Sequence, residues 1–173
     1  MFTTRLKKKI CKGFTLILVF TLNILSVNAQ QDTSSQLRLS QQQIIAKKAT
    51  NTNAPGSSTL SAVQEIVIYG DPAKPGLYTI LLKVAAHTKI PAHFHPDERI
   101  GTVVSGTWYF GYGDFFDESK LEKLPVGSIY SEGNNQHHFA MTGDEPVIAA
   151  ITGFGPSGVT FINAADDPKN KSH

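Results

Sequence analysis

Two histidines separated by one residue stand in the stretch Pro91-Ala92-His93-Phe94-His95-Pro96-Asp97-Glu98-Arg99. Side chains alternate faces along an extended strand, so His93 and His95 lie on one side and their imidazoles can converge on one ion. A third histidine follows some forty positions later in Gln136-His137-His138-Phe139. Neutral imidazole suits Fe, Mn, Zn, Ni or Cu, and a site built on it leaves coordination positions open for chemistry. Glu98 offers a carboxylate oxygen as a further ligand. Arg99 has no free lone pair and cannot ligate a metal, but its planar guanidinium can hold an anion bidentately. On a regular strand Glu98 and Arg99 face opposite ways, so one of the two points inward with the histidines; a bulge after Pro96 decides for Glu98, regular spacing for Arg99.

Short strands must carry these groups. From Leu60 onward the chain alternates apolar and polar residues in runs broken by Gly and Pro. Residues 63–69 are rich in β-formers and end at the turn composition Gly70-Asp71-Pro72-Ala73-Lys74-Pro75-Gly76. Residues 77–85 put Tyr78, Ile80, Leu82 and Val84 on one face and Thr79 and Lys83 on the other. Further strands are expected at 100–104, 107–112, 129–130, 139–141, 147–152 and 159–162, with a helical turn near 118–124. The pattern is all-β, an antiparallel sandwich or barrel. Residues 30–59, rich in Gln, Ser, Thr and Asn, read as a polar, flexible lead-in, with one short helix as the alternative around 40–49. Residues 166–173 read as a polar tail.

The 173 residues suffice for one domain with a real core. The formal charge of +2 misleads about the domain, because Arg5, Lys7, Lys8, Lys9 and Lys12 crowd the first twelve positions. Without them eleven basic residues face fourteen acidic ones, which argues against a nucleic-acid surface. The basic start, the apolar run 14–27 and Val27-Asn28-Ala29 read as a signal peptide over 1–29, cut after Ala29. The apolar run is short for a bilayer span, so no stable membrane anchor is expected after cleavage. The expected location is periplasmic or extracellular. Cys11 falls in the signal, leaving a mature chain without thiol catalysis or disulfides.

The histidine segments resemble the two motifs of the cupins, small jelly-roll barrels built as a double-stranded β-helix. The first motif reads G-x5-H-x-H-x(3,4)-E-x6-G: His93, His95 and Gly106 match, His87 takes the opening glycine, and Arg99 takes the glutamate. The second reads G-x5-P-x-G-x2-H-x3-N: Gly127 and His138 match, while Gly133, Asn135 and Thr142 stand for Pro, Gly and Asn. Asn is a mild replacement, since it tolerates left-handed backbone. The resemblance covers residues 60–165. It implies a cupin barrel and selects His138 over His137 as the third ligand, with Gln136 beside the site as a substrate-binding group.

Cupins host many reactions, so the fold does not name one. The resemblance implies a divalent first-row metal on His93, His95 and His138, with Glu98 as a fourth ligand or Arg99 as an anion hook. On that basis the leading expectation is a metal-dependent oxygenase acting on a small anionic molecule. The alternative is a module that binds or senses a small molecule or metal without turnover. Metal-free isomerase chemistry ranks last, because no carboxylate is evident beside the three histidines to orient a general base. A homodimer is in keeping with the way cupin sheets pair.

Overall fold

The structure is a computed structural model that describes residues 36–48 and 60–170. The expected signal peptide lies outside the described residues. Ten strands form two antiparallel sheets: β1 (Val63–Tyr69), β2 (Gly76–Val84), β3 (Lys89–Phe94), β4 (Arg99–Ser105), β5 (Trp108–Tyr112), β6 (Glu122–Leu124), β7 (Ile129–Glu132), β8 (His138–Thr142), β9 (Val147–Gly155) and β10 (Thr160–Phe161). One sheet runs β1-β2-β9-β4-β7 and the other β10-β3-β8-β5-β6. β1–β2 and β5–β6 are hydrogen-bonded neighbours, and every other pair of consecutive strands crosses from one sheet to the other, the winding of a jelly roll. The expected strands are present, with β9 extending to Gly155 and the residues after the turn at Glu118–Lys120 forming β6 rather than more helix.

Alternation builds the interior. Along β2, Tyr78, Ile80 and Val84 are buried between the sheets. Val63, Val103, Trp108, Phe110, Tyr130 and Val147 close on Val84 from both sheets to make the main core. Leu81 points the other way, yet it too is buried, with Ile66 and Ile148 on the outer face of the first sheet. A short helix, α1 (Gln41–Ala46), accounts for that: Ile44 packs on this outer cluster and the Gln41 side-chain amide donates to the Val104 carbonyl at 2.8 Å. Ser40 and Gln43 form a capping box at its start. Lys83 reaches its other end, donating to the carbonyl of Ile45 at 2.8 Å. The lead-in is therefore helical and docked over residues 41–46, the alternative reading of that stretch.

The motif positions explain themselves in the backbone. His87 and Asn135, which replace glycines, both have φ of 54°, in the left-handed region. Gly106 and Gly127 share that region at 78° and 88°. The turns thus keep the conformation a glycine would supply, and at two of them a side chain bears the strain.

Candidate metal centre

A bulge aims the histidines. Along the β3–β8 ladder Ile90 is opposite Ala140, but His93 is opposite His138, so β3 carries one extra residue between the two pairs. Pro91, which has no N–H to give the ladder, sits in that interval. The extra residue turns His93 to the same side as Ile90, into the barrel, and His95 follows just past the end of β3. His93 faces His138 at a ring separation of 4.3 Å, with His95 at 5.0 and 5.3 Å from the two. One ring nitrogen from each lies within 4.8 Å of the others, and all three residues are buried.

Each ring is held by its other nitrogen. His93 Nδ1–H donates to the Pro91 carbonyl at 2.7 Å, His138 Nδ1–H to the Gln136 carbonyl at 2.9 Å, and His95 Nδ1–H to the Gly158 carbonyl. These bonds fix the tautomer and leave the Nε2 lone pairs for the centre. The Nε2 atoms of His95 and His138 are buried with no hydrogen-bond partner. Burial pushes all three imidazoles toward the neutral form, His93 down to about 3. Neutral, convergent and unpartnered nitrogens are what a metal ligand set requires.

A carboxylate joins them from the opposite sheet. Glu132 Oε2 lies 3.7 Å from His95 Nε2 and 3.8 Å from His138 Nε2. Arg99, directly across the β4–β7 ladder, donates to the same oxygen from Nε at 2.7 Å and also from Nη2. Burial would raise the Glu132 pKa, but the Arg99 charge and the histidines overcome it and hold the group ionised, well below the usual carboxylate range. Behind this pair, the Tyr78 hydroxyl donates to Asp97 Oδ2 at 2.6 Å, in the buried row next to Arg99. Three imidazole nitrogens and one carboxylate oxygen suit a divalent first-row transition metal, so the residues present fit such an ion.

The sequence expectations meet this geometry unevenly. His93, His95 and His138 come together. Glu98 does not join them: it is exposed, because strand alternation turns it away when Arg99 goes in. Arg99 is inward: Glu132 takes its Nε and Nη2, while Nη1 is buried without a partner and Arg99 lines the cavity. Gln136 is exposed and its side-chain oxygen accepts from the Gly133 N–H at 3.0 Å, so only its backbone carbonyl serves the site. His137 points away, with Nδ1 2.7 Å from Asp114 Oδ1 and its ring stacked on Phe94. Glu132 is the residue that sequence reasoning missed, and it supplies the carboxylate thought to be lacking. The signal for it was the buried Arg99 itself, which demands an acid on a neighbouring strand.

The space inside is small. A cavity lined by the three histidines, Arg99 and Glu132 together with Ile80, Leu82, Ile90 and Ile151 leaves about 30 Å³ open to the centre of a water-sized sphere. That admits an ion with a water or two.

No family model matches the sequence, and no curated protein does. Solved structures do match. The polyketide cyclase RemF from Streptomyces resistomycificus aligns at a TM-score of 0.59 and 17% identity, over 77% of this chain and 89% of RemF. The DMSP lyase DddQ from Ruegeria pomeroyi aligns at 0.51 and 19% identity, over 73% of this chain and 60% of DddQ. The fold is that of the cupins. A structure of the DMSP lyases RdDddP and RnDddQII is matched at 0.40 and 20% identity, over 46% of this chain and 38% of that one. The chain thus spans less than two thirds of the DMSP lyases it matches. The chain shares its barrel fold with these matched proteins, while its ligand set is read from its own side chains.

Proposed function

We propose that the protein is an exported, metal-dependent cupin enzyme that holds a divalent first-row ion on His93, His95, His138 and Glu132. The observation that supports it most is the convergence of unpartnered Nε2 atoms whose rings are each locked through Nδ1, with Glu132 Oε2 within 3.8 Å of two of them. When bound, the ion would supply Lewis-acid chemistry, or redox chemistry if it is iron or copper, on a small molecule beside it. The chain's own groups do the rest. Arg99 fixes the Glu132 carboxylate and keeps it ionised. The Pro91, Gly158 and Gln136 carbonyls hold the rings in register. Ile80, Leu82, Ile90 and Ile151 line the same cavity and limit the water it can hold. An anionic substrate would be drawn by the ion's charge, and the unpartnered Nη1 of Arg99 in the cavity wall is a donor for it.

Oxygenase chemistry is tested by oxygen uptake of the metal-loaded chain against a panel of small carboxylic acids and phenols. Uptake that disappears in His93→Ala and His138→Ala supports it. A second reading, binding or sensing without turnover, is favoured by the small cavity. Thermal stabilisation by a compound that gives no uptake and no product would support that reading instead. Export follows from the character of residues 1–29 and is tested by fractionation and N-terminal sequencing of the mature chain.

A further inference from the structure

Donors in the wall of the central cavity lack acceptors. Arg99 donates to Glu132 from Nε and Nη2, while its third guanidinium nitrogen, Nη1, is buried with no hydrogen-bond partner. Trp108, another residue of that wall, has its indole Nε1–H buried and unpartnered as well. A buried donor left unpaired costs about 1–3 kcal/mol, and more when it is charged, so an acceptor entering the cavity recovers that cost. The charges of the site ask for an anion. Arg99 stands against Glu132 and Asp97, and burial holds Glu65 toward its protonated form, which leaves about one negative charge. A divalent ion on the histidines turns this into one positive charge, which a monoanion brings to zero. The rest of the wall is apolar: Ile80, Leu82, Ile90, Phe110, Ala140 and Ile151. The open volume of about 30 Å³ amounts to about two water positions, too little for a ring but enough for a carboxylate with a hydrogen or a methyl group on its carbon.

We infer that the cavity binds a short-chain carboxylate of formate to acetate size, with one oxygen accepting from Arg99 Nη1 and its carbon end against the apolar wall. Charge-assisted hydrogen bonds of this kind are about twice as strong as neutral ones, which makes the guanidinium the anchor. The inference names the substrate class of the metal centre and rests on the metal-enzyme reading. It narrows that class by size, because the apolar residues that surround the open volume leave no room for a longer chain.

The test is titration of acetate into the Co²⁺-loaded full chain, followed in the visible spectrum, for wild type, Arg99→Lys and Leu82→Ala, with metal content measured in each. Lysine keeps a cation beside Glu132 but has no second nitrogen for the cavity. Expected are a saturable change in wild type and acetate affinity about tenfold or more weaker in Arg99→Lys. Wild type should refuse butyrate and benzoate. Leu82→Ala enlarges the cavity, leaves every polar group of its wall in place and should admit butyrate, so the size limit decides even if Arg99→Lys loses its metal. No acetate response from metal-bearing wild type, equal acetate affinity in metal-bearing Arg99→Lys, or butyrate refused by Leu82→Ala overturns the inference and leaves the metal reading standing. Nitrate bound as tightly as acetate would overturn the assignment to a carboxylate. Wild type that holds no metal overturns the metal reading and this inference with it.

Discussion

Glu65 and Glu132 are both buried in the same barrel, at 1% and 4% exposure, and their pKa values are pushed in opposite directions. Glu65, on β1, has no hydrogen-bond partner for either oxygen, and burial pushes its pKa up to about 7, with Arg99 pulling only weakly the other way. Glu132 suffers a burial penalty too, but Arg99 lies directly across the ladder, and its carboxylate stays ionised. Burial alone thus does not decide whether a carboxyl is charged. A guanidinium in contact does, and register decides which carboxyl gets it. The contrast also separates positions, since Glu132 faces the imidazoles while Glu65 sits opposite Leu82 across the β1–β2 ladder and does not line the cavity.

Breaking the pair gives the largest effect. Arg99→Leu leaves Glu132 buried without its counter-ion and should cost about 3–5 kcal/mol in urea unfolding of the metal-free chain. Adding Glu132→Leu to that variant should recover most of the loss, whereas a single-variant cost under about 1 kcal/mol would mean that Arg99 is not what keeps Glu132 charged.

The other half of the contrast is a pH effect. Glu65 keeps a proton in the folded state up to about pH 7 and in the unfolded chain only to about 4.5, so its contribution to stability falls as pH rises through that window. Glu65→Gln removes the effect. The stability of this variant relative to wild type should rise by about 3 kcal/mol between pH 4.5 and pH 8, with the histidine titrations cancelling in the difference. A difference that stays flat with pH would show Glu65 to be partnered and charged.

Much of this fold is legible in the sequence, and the reasons are local. Tyr78, Ile80 and Val84 announce β2 because one face is buried and alternation is a local property. His93 and His95 announce the site because their spacing is a strand's own period. Glu132 is not legible in this way: it is 33 positions from Arg99, and only the β4–β7 register puts them opposite. Glu65 escapes for a related reason, since the alternation of β1 does not say which of its faces is the inside. Helix α1 is faint because a single apolar side chain, Ile44, anchors it to the sheet.

Two smaller substitutions sharpen the picture. Tyr78→Phe deletes the donor to Asp97 in the row beside Arg99 and should cost about 1–2 kcal/mol by urea unfolding. A neutral result would detach that hydrogen bond from the support of the Arg99 row. Glu98→Ala, at the exposed position next to Arg99, should change stability by less than about 0.5 kcal/mol, and a larger loss would show that Glu98 has buried partners.

The central claim is that Glu132, not Glu98, completes the three-histidine centre. Elemental analysis after metal loading and exhaustive dialysis tests it most directly, on wild type, His138→Ala, Glu132→Ala and Glu98→Ala. The expected result is about one first-row ion per chain in wild type and Glu98→Ala, with loss from His138→Ala and Glu132→Ala. A metal-free wild type, or metal lost from Glu98→Ala and retained by Glu132→Ala, would contradict it.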